Sequence, residues 1–254
     1  MNYKQFLAAA TCVGAAVTSP AALASTIQAT YTSAANFGNG AVGYDTGYLA
    51  PNPNSPTSGV NIYIGGDSFT SSNTSYGFSS TGQFNAWCVD IYHWMANSYN
   101  YTVGTPGDLA AMLSSLRPGA DTGTNRVNQL IQLANEVYGS LSSLTDSAAF
   151  QLAVWEITYG TPGSNGIYQI NSSDVGFNVG SNTAGAAIVE ANGWLTNLNT
   201  AAITGNYQLT FLNDGTDAAT QDVVVFSRAI PEPASLALLG LGFAGLVSVR
   251  RKPA

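Results

Sequence analysis

The stretch DSAAFQLAVWEITYG, residues 146–160, combines a strongly apolar helical pattern with one amide side chain, Gln151. Asp146 or Ser147 can cap this helix, and Gly160 can end it. Because nearly every position in between is apolar, no polar stripe remains, and the pattern predicts a buried helix. A buried carboxamide without partners costs roughly 1–3 kcal/mol. We therefore expect Gln151 to have a specific partner.

The segments on either side of this helix predict an α+β fold: a β-rich, sandwich-like domain with a helical insertion of three to four helices. Alternating runs predict strands at STIQATYTS, SGVNIYIGG and SYNYTVG, and a hairpin from NYQLTF and DVVVFS. Helical periodicity predicts further helices over residues 107–119, 124–139 and 184–198.

The segment GQFNAWCVDIYHW, residues 82–94, is predicted to be a central strand carrying Cys88. Trp87 falls on the opposite face of this strand, where we expect it to pack in the core. Asp90 and His93 are close in sequence and could assist proton transfer at Cys88. The odd separation between His93 and Cys88 places them on opposite strand faces, which favours a surface or loop role for His93.

Residues 1–24 are predicted to be a signal peptide. Lys4 precedes an apolar run from Phe6 to Val17, and Ala22 and Ala24 form a small-x-small cleavage site. The other end carries an apolar run over 234–249 followed by a basic cluster, which favours a short transmembrane helix with a cytoplasmic stop. The body between them, residues 25–229, suits one domain.

The body is strongly acidic and contains no lysine: three arginines stand against thirteen acidic residues. This charge balance disfavours nucleic acid and anionic membrane surfaces as partners. Cys12 lies in the predicted signal peptide, so Cys88 is the only cysteine of the mature chain. A lone cysteine in an oxidising compartment cannot form an intramolecular disulfide. No metal site or cofactor is predicted, because a calcium-loop-like run at 213–217 lacks the distal Glu and reads as a hairpin turn.

The C-terminal tail, residues 230–254, resembles the PEP-CTERM sorting signal of Gram-negative bacteria. Its parts are Pro231, Glu232 and Pro233, the Gly- and Leu-rich apolar helix, and the cluster that includes Arg250 and Arg251. The resemblance implies export, anchoring in the inner membrane through the C-terminal helix, and recognition and cleavage by an exosortase. The body would then reach the cell surface or the extracellular space.

One chemistry accounts for both a lone cysteine and a buried glutamine. A cysteine thiolate can attack a glutamine side-chain carbonyl, expel ammonia and leave an internal thioester, provided that the fold holds the two groups together. The product lacks the two N–H donors of the amide, so the burial cost at Gln151 largely disappears. The thioester is an activated acyl group for any amine that reaches it.

The pairing Trp87-Cys88, followed by Phe150-Gln151-Leu152-Ala153-Val154-Trp155, resembles the thioester domains of bacterial surface adhesins. The resemblance implies a Cys88–Gln151 thioester that attaches the protein covalently to amine-bearing surface or matrix molecules, without enzymatic turnover. Trp155 would pack beside the bond and slow its hydrolysis, with Trp87, Asp90 and His93 in support. This chain departs from that family in its sorting signal, in the absence of a stalk, and in having Trp before the cysteine.

Two other functions stay open at this point. The protein could be a non-reactive structural component of a biofilm or envelope matrix that carries the same sorting tail, with Cys88 as a small buried hydrophobe and Gln151 bonded to a neighbouring backbone. A cysteine hydrolase that uses Cys88 with His93 is the weakest alternative, because the two residues are predicted on different strand faces.

Overall fold

The computed structural model describes residues 25–35, 45–49, 60–116, 121–171, 177, 179, 185–198, 206–215 and 220–229. The predicted signal peptide and nearly all of the sorting tail lie outside these residues. The described part contains eight strands and four helices. The strands are β1 (Ser25–Ala34), β2 (Asp45–Leu49), β3 (Val60–Ile64), β4 (Asp67–Thr70), β5 (Gln83–Cys88), β6 (Ser98–Gly104), β7 (Tyr207–Asn213) and β8 (Val223–Arg228). The helices are α1 (Pro106–Leu116), α2 (Gly123–Val137), α3 (Leu144–Tyr159) and α4 (Gly185–Asn197).

Six strands close into an antiparallel barrel in the order β1-β4-β5-β8-β7-β6, and β2 pairs with β3 as a separate hairpin. All four helices fall between β6 and β7 in the chain. The α+β class and the helical insertion predicted from the sequence are therefore confirmed. The sandwich-like β part takes the form of a closed barrel, because β1 pairs with both β4 and β6.

Two apolar cores lie on the two sides of the barrel wall. The barrel interior is filled by side chains that include Ile27, Phe69, Phe84 and Tyr101. The larger core lies between the wall and the helices. Alternation along β5 sends Phe84 and Ala86 into the barrel and Trp87 into the larger core. This strand therefore joins the two layers.

The predicted buried helix is α3, in which every residue from Ser147 to Tyr159 is buried. Its start differs from the prediction: the N-cap is Ser143, not Asp146 or Ser147. The Ser143 hydroxyl accepts from the Asp146 backbone N–H at 3.0 Å, and the Asp146 carboxylate accepts from the Ser143 N–H at 3.1 Å. Asp146 thus completes a capping box from inside the helix.

The C-terminus of α3 is held by a buried arginine, Arg126 of α2. Its guanidinium donates to the carbonyl oxygen of Thr158 at 2.8 Å and to that of Gly160 at 3.1 Å. A cation at the carboxyl end of a helix interacts favourably with the helix dipole and satisfies carbonyls that lack helical partners. Gly160 closes the helix as predicted, donating its N–H to the Glu156 carbonyl oxygen at 2.8 Å.

The cysteine strand is shorter than the sequence pattern predicts. β5 ends at Cys88, and the Val89 N–H makes a last bond to the Asp222 carbonyl oxygen at 3.0 Å. Asp90 and His93 lie in the turn that follows. The prediction that His93 lies on the opposite strand face from Cys88 was therefore wrong, because the strand does not continue past Cys88.

Candidate functional site

The site is built on one face of α3, where Ser147, Gln151, Trp155 and Tyr159 follow one another at intervals of four residues. Residues four apart lie on the same side of a helix, and this side meets the barrel wall at the end of β5 and at the segment that joins β3 to β4. The Ser147 hydroxyl accepts from the Gly66 N–H, just before β4, at 3.0 Å. The helix is thereby aligned with the end of β5.

Gln151 binds the backbone of Cys88 through both ends of its amide. Its Oε1 accepts from the Cys88 N–H at 3.0 Å, and its Nε2 donates to the Cys88 carbonyl oxygen at 2.8 Å. β4 begins at Asp67, which lies opposite Ala86, so the side chain of Gln151 takes the place of a strand neighbour at Cys88. The structure thus brings together the two residues that the sequence paired.

The thiol of Cys88 is buried, with 3 % of the residue exposed, and is not in a disulfide. It donates to the carbonyl oxygen of Asp90 at 3.0 Å. Burial raises the pKa of this thiol well above its ordinary value, and the negative charge of Asp90 adds to the effect. Cys88 is therefore a neutral thiol at neutral pH.

Tyr159 fixes the turn that follows the cysteine. Its hydroxyl donates to the Val89 carbonyl oxygen at 2.9 Å and accepts from the Ile91 N–H at 3.4 Å. Neither Tyr159 nor Ser147 was predicted from the sequence to belong to this site. The signal that could have found them is their spacing, since each stands a multiple of four residues from Gln151.

The two tryptophans have different places. Trp87 is fully buried and packs against Phe150, with ring centroids 4.5 Å apart. Trp155 is 3 % exposed and lines the same cavity as the Cys88 side chain. Its side chain also interacts with the Cys88 sulfur in a way that lowers the pKa of the thiol, but this effect is smaller than the increase caused by burial. Trp155 therefore lies beside Cys88, at the cavity that both residues line.

Asp90 and His93 pair with each other, through the His93 Nδ1 and an Asp90 carboxylate oxygen. Their side chains line a second cavity of about 360 Å³, together with Tyr159 and Asp222. Burial raises the pKa of Asp222 to about 6. His93 does not line the cavity of Cys88, so its side chain and the thiol open onto different spaces.

Metal-ligating side chains do not cluster in the part of the chain that the structure describes: no group of three or more His, Cys, Asp or Glu could hold an ion. The calcium-loop-like run at 213–217 lies at the β7–β8 hairpin, where the Asn213 side chain accepts from the Gly215 N–H. Its Asp217 lies outside the described residues.

The C-terminal end of the chain matches a known family of sorting signals. Residues 229–252 carry the PEP-CTERM protein-sorting motif. This motif indicates an exported protein with a membrane-anchored precursor, which is processed by an exosortase and then localised at the surface. Pro231, Glu232, Pro233, Arg250 and Arg251 all lie within the match.

Solved structures similar to this chain include thioester domains of streptococcal surface proteins. The N-terminal thioester domain of the fibronectin-binding protein SfbI from Streptococcus pyogenes matches with a TM-score of 0.40 and 11 % identity, over 79 % of this chain and 100 % of that one. The N-terminal domain of the pilus tip adhesin Cpa from Streptococcus pyogenes matches with a TM-score of 0.42 and 12 % identity, over 78 % and 100 %.

A third similar structure is the N-terminal thioester domain of a protein F2-like fibronectin-binding protein from Streptococcus pneumoniae. Its TM-score is 0.42 and its identity 10 %, over 79 % of this chain and 99 % of that one. No curated protein matches the chain in sequence. Within the described residues, the helices are all too short or too polar to span a membrane.

Proposed function

We propose that this exported protein forms an internal thioester between Cys88 and Gln151, and that the thioester couples it covalently to amine-bearing molecules at the cell surface or in the matrix. The observation that carries the proposal is the double hydrogen bond between the Gln151 amide and the Cys88 backbone, at 3.0 and 2.8 Å. It holds the acyl carbon beside the residue that carries the sulfur, which raises their effective concentration.

The bond-forming step is an acyl transfer. The sulfur of Cys88 attacks the side-chain carbonyl carbon of Gln151, the C–N bond breaks, and ammonia leaves with the thiol proton. Negative charge develops on Oε1 during the attack, and the Cys88 N–H already donates to that oxygen. A donor aimed at the developing oxyanion lowers the barrier to such reactions.

The surroundings favour a bond that survives in water. Gln151 is fully buried, and Trp155 covers the cavity side of the pair. Exclusion of water protects a reactive acyl group from hydrolysis. A target amine then attacks the same carbon, the C–S bond breaks, an amide forms, and one amine proton passes to the sulfur to restore the thiol.

The intact mass of the native protein tests the proposal. The wild type should be lighter by one ammonia than its sequence requires, whereas Cys88→Ala should have the full mass of its own sequence. Methylamine should add once to the wild type and release one titratable thiol. The matched control Gln208→Ala, at an exposed glutamine of β7, should behave as the wild type does.

A wild-type protein of full mass, with a Cys88 thiol that alkylates after unfolding and no methylamine adduct, contradicts the proposal. That result supports the second candidate, a non-reactive structural matrix protein with the same sorting tail. One observation favours this candidate: both polar ends of the buried Gln151 amide already have partners. The amide therefore does not need to react in order to be tolerated in the core.

A further inference from the structure

The cavity that opens onto Cys88 has a distinctive wall. It measures about 250 Å³, and Cys88 and Trp155 form part of its lining. Tyr63 and Trp94 line the same cavity, although 71 % and 74 % of these residues are exposed. They are the two large aromatic side chains that are mostly exposed in the described part of the chain. Exposed aromatic rings that converge on one cavity indicate a binding surface.

A carboxylate completes this wall. Asp67, at the start of β4, lines the cavity and is 8 % exposed. Its charge acts on Cys88, where it contributes to the raised pKa of the thiol. A buried carboxylate at the reactive residue favours a cationic group such as a protonated amine. The acidic body, with thirteen acidic residues against three arginines, favours the same charge at longer range.

We propose that this cavity selects amines carried on a saturated sugar ring, so that the target is an amino sugar with a free amino group, as in a glycan that contains unacetylated hexosamine. The proposal rests on the proposed thioester and names its substrate class. The apolar C–H face of a pyranose stacks on flat aromatic rings, and Tyr63 and Trp94 offer such rings at the cavity. A flexible alkyl amine, such as a lysine side chain, has no flat face and makes less contact with these two rings than a pyranose does.

Coupling to the sugar transfers the Gln151 acyl group from sulfur to nitrogen. The ammonium group of the sugar binds near Asp67 and loses one proton to water. The neutral amine attacks the thioester carbon, the C–S bond breaks, and a second amine proton passes to the Cys88 sulfur. The product is an amide between the Gln151 acyl group and the sugar nitrogen, with a restored thiol.

The experiment measures adduct formation by intact mass on the full-length protein, with glucosamine, methylamine and Nα-acetyl-lysine as separate probes at equal concentrations of neutral amine. Glucosamine should couple about tenfold faster than methylamine, because its ring stacks on the aromatic side chains and methylamine has no ring; a tenfold ratio corresponds to about 1.4 kcal/mol. Trp94→Ala should reduce this ratio several-fold while leaving the methylamine rate within about twofold of wild type. Tyr63→Ala should reduce the ratio in the same direction.

Val189→Ala is the matched control, because Val189 is 74 % exposed but lies on α4, away from the cavity. It should leave every rate unchanged. N-acetylglucosamine has the ring but no free amine, so it should slow glucosamine coupling in the wild type and not in Trp94→Ala.

The outcomes separate the two proposals. A methylamine adduct with a glucosamine ratio near one, or a ratio that Trp94→Ala does not change, overturns the sugar preference and leaves the thioester intact. Faster coupling of Nα-acetyl-lysine than of glucosamine overturns it as well and points to lysine side chains of proteins. The absence of any adduct in the wild type overturns both proposals.

Discussion

Gln151 occupies at Cys88 the position that a neighbouring strand holds elsewhere in the barrel. Its carboxamide has the same donor and acceptor as a peptide group, and it pairs with the N–H and carbonyl oxygen of one residue. The fold thereby satisfies an amide inside an apolar helix and positions its carbonyl carbon with one set of contacts. If the proposed thioester forms, the stability of the fold and the reactivity of Gln151 depend on the same two hydrogen bonds.

This dual role predicts a large stability cost for Gln151→Met when it is made in the Cys88→Ala background, where no thioester can form. Methionine keeps the side-chain volume but leaves a buried N–H and a buried carbonyl without their partners. Each such group costs about 1–3 kcal/mol, so we expect a loss of about 3 kcal/mol. Urea unfolding at an unchanged m-value measures it.

The control for this experiment is Gln208→Met in the same background, at an exposed position of β7. It should change the free energy of unfolding by no more than about 0.5 kcal/mol. Equal effects of the two substitutions would show that the buried hydrogen bonds contribute nothing beyond what an exposed glutamine does.

Between the elements, one close approach lies where the chain passes from β3 to β4. A Cβ atom at Gly66 would lie 2.9 Å from the Trp87 indole, which is itself fixed against Phe150. Gly66→Ala should therefore destabilise the protein by about 1–3 kcal/mol, the usual cost of overpacking. Thermal unfolding measures the change.

Gly193 provides the matched control, since a Cβ atom there meets nothing within 4 Å and the residue lies inside α4. Gly193→Ala should stabilise the protein by about 0.5–1 kcal/mol, because alanine loses less backbone freedom than glycine in a helix. A neutral Gly66→Ala would mean that the Trp87 ring can move aside.

The elements also differ in how far the sequence predicts them. The helices were predictable because their apolar periodicity is local. The pairing of Cys88 with Gln151 was predictable for a different reason, because a lone cysteine and a buried glutamine have one chemistry in common. β4 was not, because it has four residues and three of them are polar: Asp67, Ser68 and Thr70. The end of β5 could not be predicted either, because apolar residues continue past Cys88 in the sequence. The turn there is fixed by hydrogen bonds to the Tyr159 hydroxyl, which is distant in the chain.

At the scale of the whole molecule, barrel closure and the site depend on contacts between distant parts of the chain. β1 pairs with β6 from Ser25 to Thr30, and β5 pairs with β8 at Cys88. Such pairings leave no mark on local periodicity, which explains why a sandwich-like sheet and a barrel could not be separated from the sequence. The chain as a whole is acidic, and one of its acidic residues, Asp222, is buried at the β7–β8 hairpin.

Asp222 at this hairpin predicts how stability responds to pH. Burial raises its pKa to about 6. The hydrogen bond from the Asp214 backbone N–H opposes this shift, the charges of Asp214 and Asp90 add to it, and His93 opposes it. The folded protein therefore holds a proton on Asp222 that the unfolded chain has lost between about pH 4 and 6. Because the folded state binds more protons in this window, the contribution of Asp222 to stability falls as the pH rises through it and is constant above it.

Asp222→Asn mimics the protonated carboxyl group. In the wild type the Asp214 N–H donates to Asp222 Oδ1 at 2.8 Å, and the asparagine keeps an oxygen that can accept this hydrogen bond. The difference in unfolding free energy between this variant and the wild type should be small at pH 4, grow in favour of the variant up to pH 6, and then stay constant. Urea unfolding at each pH measures it. Asp108→Asn should instead favour the wild type, because hydrogen bonds from the Thr105 backbone and side chain lower the pKa of Asp108. That difference should be constant between pH 4 and 7 and should be lost only as the pH falls further, through the lowered pKa. A difference for Asp222→Asn that does not vary between pH 4 and 7 would show that its carboxylate is as well solvated in the folded protein as in the unfolded chain.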